Sequence, residues 1–428
     1  MPGLMNTELP DRPRGAPAYQ DIFEQYVDEA SFLWILRSIS VKQPHYLPKD
    51  VLELEMRIDA NLDGLMTSLE TGWQACTDAM SIEEPGEIFT ASVVAFRSRD
   101  PVKIQAVVTT GLADQRMAKG LISALGWLPG QIVYPWIQKF LTSKDLDHKY
   151  LALAACSIRR ENPETHLAKI LQREDCRANS RLHARALRLA GELKRNDLLS
   201  DIENAMQSDD EQVKFWANWS ATLLGNKAAV NRLQDFIQHD DPALGVPALN
   251  VVFRVLPLEL ARSWISRLAE DPKNARTVVK ATGILGDPHA VPWLIGKMRD
   301  AKMARLAGES FSMLTGIDLE RHELAVDIPE DISVIPNDDP EDDDVGLDED
   351  ENLPWPDSEK VGFLWQKYGR HFMPGQRYFQ GKPVEAGALL DKLRNGYQRQ
   401  RQAAAYELAL LEPDRMLANT AARVGVLQ

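Results

Sequence analysis

Residues 182–193 read LHARALRLAGEL, and the spacing of their apolar side chains decides the predicted fold. Leu182, Ala186 and Leu189 follow one another at intervals of four and three residues, which places them on one face of an α-helix. Leu193 continues the stripe. A single helix cannot bury such a stripe by itself, so this segment must pack against other helices. The stretch therefore predicts an all-α protein whose helices bury one another's apolar faces.

Similar segments recur along the middle of the chain. From Gly126 to Gly286, five steps cover 160 residues, so the mean step is 32 residues. Each step has room for two helices, and apolar residues within 229–237 mark the second helix of one pair. Repeats of this length are typical of stacked helical hairpins. We therefore predict an α-α superhelix, a solenoid of hairpins. The aligned repeat positions are Gly126, Ser157, Gly191, Gly225, Leu256 and Gly286.

Five Asx-Pro pairs mark predicted helix starts. An Asp or Asn side chain can accept hydrogen bonds from the free amides of the first helical turn. Proline tolerates the first helical position because its missing N–H would be unpaired there. Helices are therefore expected to begin at Asp100-Pro101, Asn162-Pro163, Asp241-Pro242, Asp271-Pro272 and Asp287-Pro288.

Negative charge is concentrated in one segment. The chain of 428 residues has a net charge of −14, and residues 327–351 hold thirteen acidic and no basic side chains, which leaves about −1 for the rest. Such a segment has little to bury and predicts a solvated, partly mobile insertion. An EF-hand alignment through Gly346 fails, because Val345 and Asn352 fall where the loop needs an oxygen ligand and a bidentate glutamate. No metal site is predicted.

These patterns divide the chain into five predicted regions. Trp355, held between Pro354 and Pro356, is expected to dock onto the body of the protein and to end the acidic insertion. The regions are a disordered tail at 1–18, an N-terminal helical cap region at 19–112, helical repeats at 113–320, an acidic insertion at 321–360, and a small C-terminal helical cap at 361–428 that packs on the end of the solenoid.

Composition and motifs exclude several functions. No run of 18 uncharged apolar residues is present, so no membrane-spanning helix is expected. The N-terminal residues lack the order of a signal peptide, and the three cysteines share no metal-like spacing, so we predict a cytoplasmic protein with reduced thiols. The chain contains no zinc-protease, phosphate-loop or hydrolase motif. We therefore predict no catalytic residue and no cofactor.

Basic and aromatic side chains are the candidates for contact with a partner. Arg181, Arg185 and Arg188 share one helix face, which is either simply solvated or a docking stripe for an acidic partner or for the protein's own acidic insertion. Trp216 and Trp219 lie three residues apart; they either fill the core or anchor an interface. The predicted binding residues are Arg181, Arg185, Arg188, Trp216, Trp219, Trp355, Arg377, Arg399 and Arg401.

Three segments carry a resemblance to known proteins. They are LALAACSIRRENP at 151–163, LPWPD at 353–357, and the stretch from PGQRYFQGKP to YELAL at 374–410. The repeats resemble HEAT-like repeats of the bilin-lyase type. The whole chain resembles a proteobacterial family of HEAT-like repeat proteins without an established activity, whose genes often lie near those of type VI secretion spike proteins and adaptors. The resemblance implies an accessory, chaperone or immunity-like role.

Two classes of function remain open from the sequence. The first is a non-enzymatic scaffold or adaptor that binds another protein, such as a secretion effector or spike component, and neither nucleic acid nor membrane. The alternative is a repeat-fold enzyme, bilin-lyase-like or nucleic-acid-glycosylase-like, which would have a basic groove with a carboxylate in an aromatic pocket. The nearly neutral repeats favour the scaffold. A third role for the acidic insertion is to mimic nucleic acid or to occupy the groove as a gate.

Overall fold

The computed structural model describes residues 19–329 and 348–424. Within these ranges the fold is all-α, as predicted, apart from two short pairs of strands. The predicted tail at 1–18 and residues 330–347 of the acidic insertion lie outside the described residues. In the described ranges, no helix combines the length and the apolar character needed to cross a membrane.

Seven helices make up the N-terminal part of the chain. Trp34 stacks on Phe89 with ring centroids 5.4 Å apart, and Phe89 meets the edge of Trp127 at the same distance. These aromatic side chains are buried and form the centre of this core. The helices are α1 (Gln20–Ser40), α2 (Pro48–Met66), α3 (Leu69–Ala79), α4 (Pro85–Ser98), α5 (Pro101–Ala113), α6 (Gln115–Trp127) and α7 (Gly130–Thr142), with a 3-10 turn at Met80–Ile82.

The remaining α-helices, α8 to α21, are 5 to 14 residues long. They are α8 (Leu146–Arg159), α9 (Thr165–Gln172), α10 (Glu174–Ala178), α11 (Ser180–Glu192), α12 (Leu199–Ala205), α13 (Glu211–Leu223), α14 (Pro242–Val255), α15 (Leu258–Leu268), α16 (Ala275–Leu285), α17 (Val291–Lys297), α18 (Ala304–Thr315), α19 (Ser358–Tyr368), α20 (Ala386–Asn395) and α21 (Gln398–Leu411). Short 3-10 helices cover Asn196–Leu198, Ala229–Phe236, Pro272–Asn274, Pro288–Ala290 and Gly369–His371. The strands are β1 (Ala325–Val326), antiparallel to β2 (Trp355–Pro356), and β3 (Tyr378–Phe379), antiparallel to β4 (Lys382–Pro383).

The chain forms two compact units. Of the described residues, one unit contains 19–38 and Leu52–Ile137, and the other contains Ile39–Val51, 138–329 and 348–424. The predicted boundary between residues 112 and 113 falls inside the first unit, near the end of α5. Helices α4, α5 and α6 pack against one another.

In the second unit, the longer helices form a row in which each contacts the next: α8, α11, α13, α14, α16 and α18. A shorter helix or 3-10 segment follows each of the first five, in agreement with the predicted hairpins. The predicted second helix within 229–237 is a 3-10 helix instead. Val230, Leu233 and Phe236 repeat every three residues, which suits the three-residue turn of a 3-10 helix better than the 3.6-residue turn of an α-helix.

Small residues let neighbouring helices of the row approach closely. A Cβ at Gly191 would lie 2.8 Å from the Cα of Ser220 on the next helix, so no larger residue fits there without separating α11 from α13. The Ser220 hydroxyl donates to the carbonyl of Leu187 at 2.8 Å. The same arrangement recurs between α16 and α18, where a Cβ at Gly283 would lie 3.0 Å from the Cα of Ser310. These two helix pairs therefore pack in the same way.

Four of the five Asx-Pro pairs cap helices as predicted. The Asp side chain accepts from the amide two residues later in each case, at 2.8–3.2 Å, for Asp100, Asp241, Asp271 and Asp287. The prediction at Asn162-Pro163 is wrong. The Asn162 side chain accepts from the amide of Glu164 within a turn, and α9 begins only at Thr165. Glu164 has a φ of 51°, a conformation that interrupts the helix start.

The acidic insertion leaves and rejoins the fold at one place. Strand β1 lies near its start and pairs with β2 near its end, with Val326 opposite Trp355. The amide of Asp357 also donates to the carbonyl of Leu324 at 2.7 Å. Trp355 is buried, as its position between two prolines predicted, and the guanidinium of Arg305 lies 4.8 Å from its ring centroid.

Candidate functional site

The described end of the acidic insertion lies against a basic surface. We call residues 348–351 the acidic foot, and Arg276, Lys280, Arg305 and Arg399 the basic clamp. Arg276 grips Asp350 through two hydrogen bonds, 2.7 Å from Nη1 to Oδ2 and 2.9 Å from Nη2 to Oδ1. The Lys280 ammonium donates to Glu349 at 2.9 Å, and Arg305 pairs with Asp348. Three consecutive carboxylates are thus each held by a cation.

The basic clamp also recognises the main chain of the acidic foot. Arg305 donates from Nη1 to the carbonyl of Asp350 at 3.0 Å, and Arg399 donates from Nη2 to the carbonyl of Glu349 at 2.9 Å. Guanidinium groups can do this because their planar array of N–H donors reaches several acceptors at once. The clamp therefore binds the main chain of the acidic foot as well as its carboxylates.

Electrostatics favour the ionised forms of the paired groups. The hydrogen bond from Lys280 lowers the pKa of Glu349, and the hydrogen bond to Asp350 raises the pKa of Arg276. Burial would raise the pKa of Asp348, but its bonds with the Asp350 amide and Arg305 outweigh burial and lower it. Arg276 and Lys280 remain over one third exposed, so each ion pair adds only a modest, salt-sensitive stabilisation.

Helix geometry positions the basic clamp. Arg276 and Lys280 lie four residues apart on α16 and therefore project from one face. Arg305 comes from α18, the next helix of the row. Arg399, at the start of α21, donates from Nη1 to both carboxylate oxygens of Glu309, at 2.9 and 3.0 Å. Burial raises the pKa of Glu309, and the guanidinium opposes that effect.

A half-open cavity of about 190 Å³ adjoins the acidic foot. The end of α18 and the turn after it line one side, and Asn352 and Leu353 line another. Arg399 and Lys392 contribute cationic side chains, while Glu309 contributes a carboxylate. The lining therefore combines charges of both signs with apolar side chains.

No protein-family model and no curated protein matches the chain. The role of the basic clamp therefore has to be inferred from its contacts. Of the predicted binding residues, only Arg399 belongs to the clamp. Sequence reasoning missed Arg276, Lys280 and Arg305, although the first two form a basic pair at helical spacing and could have been matched to the acidic insertion by charge.

The three arginines predicted as a docking stripe do share one face of α11. The Arg181 guanidinium lies 3.9 Å from the ring centroid of Tyr150, and that of Arg188 lies 4.4 Å from that of Trp216. The acidic foot contacts α16, α18 and α21 and does not lie on this face. Residues 330–347 of the insertion lie outside the described residues, so docking of the insertion on Arg181, Arg185 and Arg188 stays a prediction.

A buried carboxylate organises these arginines. Glu192 is 1% exposed and accepts from the Ser157 hydroxyl at 2.5 Å and from Arg188 Nε at 2.9 Å, and Arg160 Nη1 lies 3.2 Å from it. Burial would raise the pKa of Glu192, but the surrounding arginines outweigh it and lower the pKa to about 2. Burial and the neighbouring Arg188 lower the pKa of Arg185 to about 10. This cluster joins α8 to α11.

The predicted tryptophan anchors lie in the core. Trp216 and Trp219 are 6% and 1% exposed, and their rings meet edge to face with centroids 5.2 Å apart. Their neighbour Phe215 is also buried. In this structure the two indoles fill the space between helices of the row, and neither presents a surface to a partner.

Arg377 caps the ends of neighbouring helices. It donates from Nε to the carbonyl of Leu285 at 2.9 Å and from Nη1 to that of Arg254 at 3.0 Å. Helices end with carbonyls that lack partners within the helix and with the negative end of the helix dipole, which favours a cation there. Arg377 therefore stabilises the C-terminal ends of α16 and α14 and faces inward.

Other parts of the C-terminal segment have the same role. The amide of Gln380 donates to Met313 at the end of α18, and the amide of Leu417 donates to Glu192 at the end of α11, at 2.7 and 2.9 Å. Asn419 donates to Ile158 in α8 at 2.9 Å. Arg401, 4% exposed, binds the Leu393 carbonyl and the Gln398 side chain. The chain after residue 374 thus lies along the ends of the helix row.

The described residues contain no group of three or more His, Cys, Asp or Glu side chains that could hold a metal ion. Each of the three cysteines is buried and free of disulfide bonds. Burial raises the pKa of Cys76 and of Cys156 to about 12. These thiols are protonated at neutral pH and behave as small core side chains.

Proposed function

We propose that this protein is a non-enzymatic scaffold of the cytoplasm that binds another protein, and that the basic clamp is its contact surface for an acidic segment of that partner. One observation carries the proposal. The clamp already holds an acidic peptide, the foot of the protein's own insertion, through both carboxylates and main-chain carbonyls. A surface built for such a peptide in cis fits a peptide of the same chemistry in trans.

The insertion then acts as an internal competitor. Its ends are fixed by the pairing of β1 with β2, so the acidic foot is tethered close to the basic clamp. Tethering of this kind gives an effective concentration on the order of millimolar. A partner segment must therefore bind better than the foot or be presented at high local concentration. This competition would make the scaffold selective.

Peptide chemistry, and not nucleic acid or lipid, suits the basic clamp. Two of its arginines donate to backbone carbonyls, and a phosphodiester chain has no equivalent of that alternating pattern of carbonyl and side-chain carboxylate. The net charge of −14 also repels a polyanion at longer range. We therefore propose a protein partner and neither nucleic acid nor membrane.

The resemblance to HEAT-like proteins encoded near type VI secretion genes suggests the kind of process. On that basis we propose an accessory, chaperone or immunity-like role, with a secretion effector or spike component as the partner. An acidic segment in such a partner would be the element that the clamp recognises.

A competition experiment tests the clamp. A triple variant, D348N/E349Q/D350N, removes the charges of the acidic foot and frees the cations. A fluorescein-labelled peptide with the sequence of residues 342–352 should bind this variant at least tenfold more tightly than the unaltered protein, and binding should weaken between 50 and 500 mM NaCl. Adding R276Q/R305Q should abolish binding, whereas adding R267Q, on an exposed part of α15, should not.

Two results would refute the proposal. One is equal affinity of the peptide for the triple variant and for the unaltered protein. The other is binding that survives R276Q/R305Q. The partner itself is sought by affinity purification from the native host with the triple variant as bait. A protein that is lost with R276Q/R305Q supports the scaffold, and recovery of nucleic acid in its place contradicts it.

A further inference from the structure

The cluster around Glu192 contains more positive than negative charge. Three guanidinium groups, those of Arg160, Arg185 and Arg188, surround this one carboxylate. The two oxygens of Glu192 already accept from Ser157 and Arg188 and contact Arg160. Arg185 Nη2 lies 3.8 Å from the nearer oxygen, beyond hydrogen-bond distance. Glu192 is therefore within ion-pair distance of Arg185 but accepts no hydrogen bond from it.

Arg185 presents two donors without an acceptor among the described residues. Its Nε and Nη2 are both hidden from solvent and form no hydrogen bond with any of them. Buried donors in native proteins are nearly always paired, with protein, water or a bound ion. A buried guanidinium with two such donors on one edge therefore indicates that something else binds there.

The edge formed by Nε and Nη2 is the one that grips oxyanions elsewhere in this protein. Arg195 holds Asp197 through the same two nitrogens at 2.7 and 2.6 Å, and Arg173 holds Asp175 at 2.9 and 2.5 Å. Both are side-on, two-point contacts with a planar carboxylate, a geometry that also suits phosphate. Arg185 offers the same edge, and no carboxylate of the described residues lies within hydrogen-bond distance of it.

We propose that Arg185 is the centre of a binding site for an oxyanion, a carboxylate or phosphate group, held side-on by Nε and Nη2. Arg181 and Arg188 flank it on the same face of α11 and add positive charge. Their side chains are 30% and 39% exposed, and that of Arg185 is 14% exposed, so the site lies just below the surface. This site is formed on α11, separate from the basic clamp, and does not depend on the proposed scaffold function.

Thermal unfolding at constant ionic strength tests the site. Sodium phosphate or sodium acetate replaces sodium chloride stepwise, and the midpoint of unfolding is measured. We expect at least one of the two anions to raise the midpoint saturably, by a few degrees at about one hundred times its Kd. If phosphate alone does so, the natural ligand carries a phosphate. If acetate does so as well, the site takes a carboxylate.

Two variants and a matched control identify the residue. R185Q should fold, because Glu192 keeps Ser157, Arg160 and Arg188, and it should lose the anion-dependent rise. R185K keeps the charge but lacks the two-point edge, so its affinity in a calorimetric titration with phosphate should fall at least tenfold. R173Q, which alters an exposed arginine, should respond as the unaltered protein does. The site is refuted if neither anion raises the midpoint saturably, or if R185Q or R185K binds as tightly as the unaltered protein.

Discussion

The guanidinium of Arg377 meets the carboxylate of Glu407 inside the second unit, with Nη2 2.5 Å from Oε1. Arg254 Nε approaches the same oxygen at 3.1 Å. Glu407 is 4% exposed, so one buried carboxylate on α21 holds an arginine of the helix row and an arginine of the capping segment. This contact fixes the C-terminal segment on the row.

Replacing Arg377 by Met should lower the free energy of unfolding by about 2–3 kcal/mol, because hydrogen bonds to a buried charge and to helix-end carbonyls are lost together. Urea unfolding followed by circular dichroism measures the change. R370M removes an exposed arginine from the 3-10 turn nearby and is the matched control, expected within about 0.5 kcal/mol of the unaltered protein. Equal midpoints for R377M and R370M would show that the caps add nothing.

The stability contributed by Glu192 should depend on pH in the acid range. Its pKa in the folded protein is about 2, below the ordinary value of 4.5. A group with a lowered pKa stabilises the fold fully above its ordinary value, and that stabilisation is lost as the pH falls from 4.5 towards 2. The difference amounts to about 3 kcal/mol. The gap in unfolding free energy between the unaltered protein and E192Q should therefore be wide at pH 7 and narrower at pH 3. A gap that stays constant over this range would contradict the assignment.

Replacement by alanine should have opposite effects on stability at two glycines, Gly191, where α11 and α13 approach closely, and Gly296. G191A places a Cβ 2.8 Å from the Cα of Ser220, which forces the helices apart and should cost about 1–3 kcal/mol. G296A on α17 meets no atom within 4 Å and should be neutral or stabilise by about 0.5–1 kcal/mol, since alanine reduces the entropy of the unfolded chain. Thermal and urea unfolding of the two variants distinguish the effect of helix packing on stability from the effect of helix propensity. If G191A were as stable as G296A, the helices would not be held as closely as described.

The buried thiols should resist modification in the native protein. Burial raises the pKa of Cys76 and of Cys156 to about 12 and also raises that of Cys176, so little thiolate exists at pH 8. A chromogenic disulfide reagent should react with three thiols in denaturant and, over the first minutes, with almost none without it. Rapid reaction of one thiol in the native state would place that cysteine at the surface.

The all-α class, the alternation of helices and four of the helix starts could be predicted because they depend on local patterns. Apolar spacing reports which side chains share a helix face, and Asp-Pro pairs cap the turns beside them. The 3-10 helix Ala229–Phe236 was predicted as an α-helix because apolar positions at intervals of three fit both periods over a short stretch.

The candidate site was harder to predict because it depends on what covers each helix face. Arg160 binds the carbonyl of Leu417, 257 residues further along the chain, and no periodic pattern reveals such a contact. Arg377 and Arg401 were predicted as a contact patch, yet the structure uses both to cap or join buried segments. Arg276 and Lys280 were missed since a basic pair on a helix is usually only solvated. Their carboxylate partners became evident only once the chain was folded.

The pairing of β1 with β2 brings the two ends of the insertion together. The length of the insertion can therefore change without a change in the packing of the helices around it. For a loop whose ends are already joined, each doubling of length costs only about 0.6 kcal/mol of closure entropy. We therefore expect a fluorescent reporter domain inserted between Val326 and Asp348, ahead of the acidic foot, to leave the helical body intact.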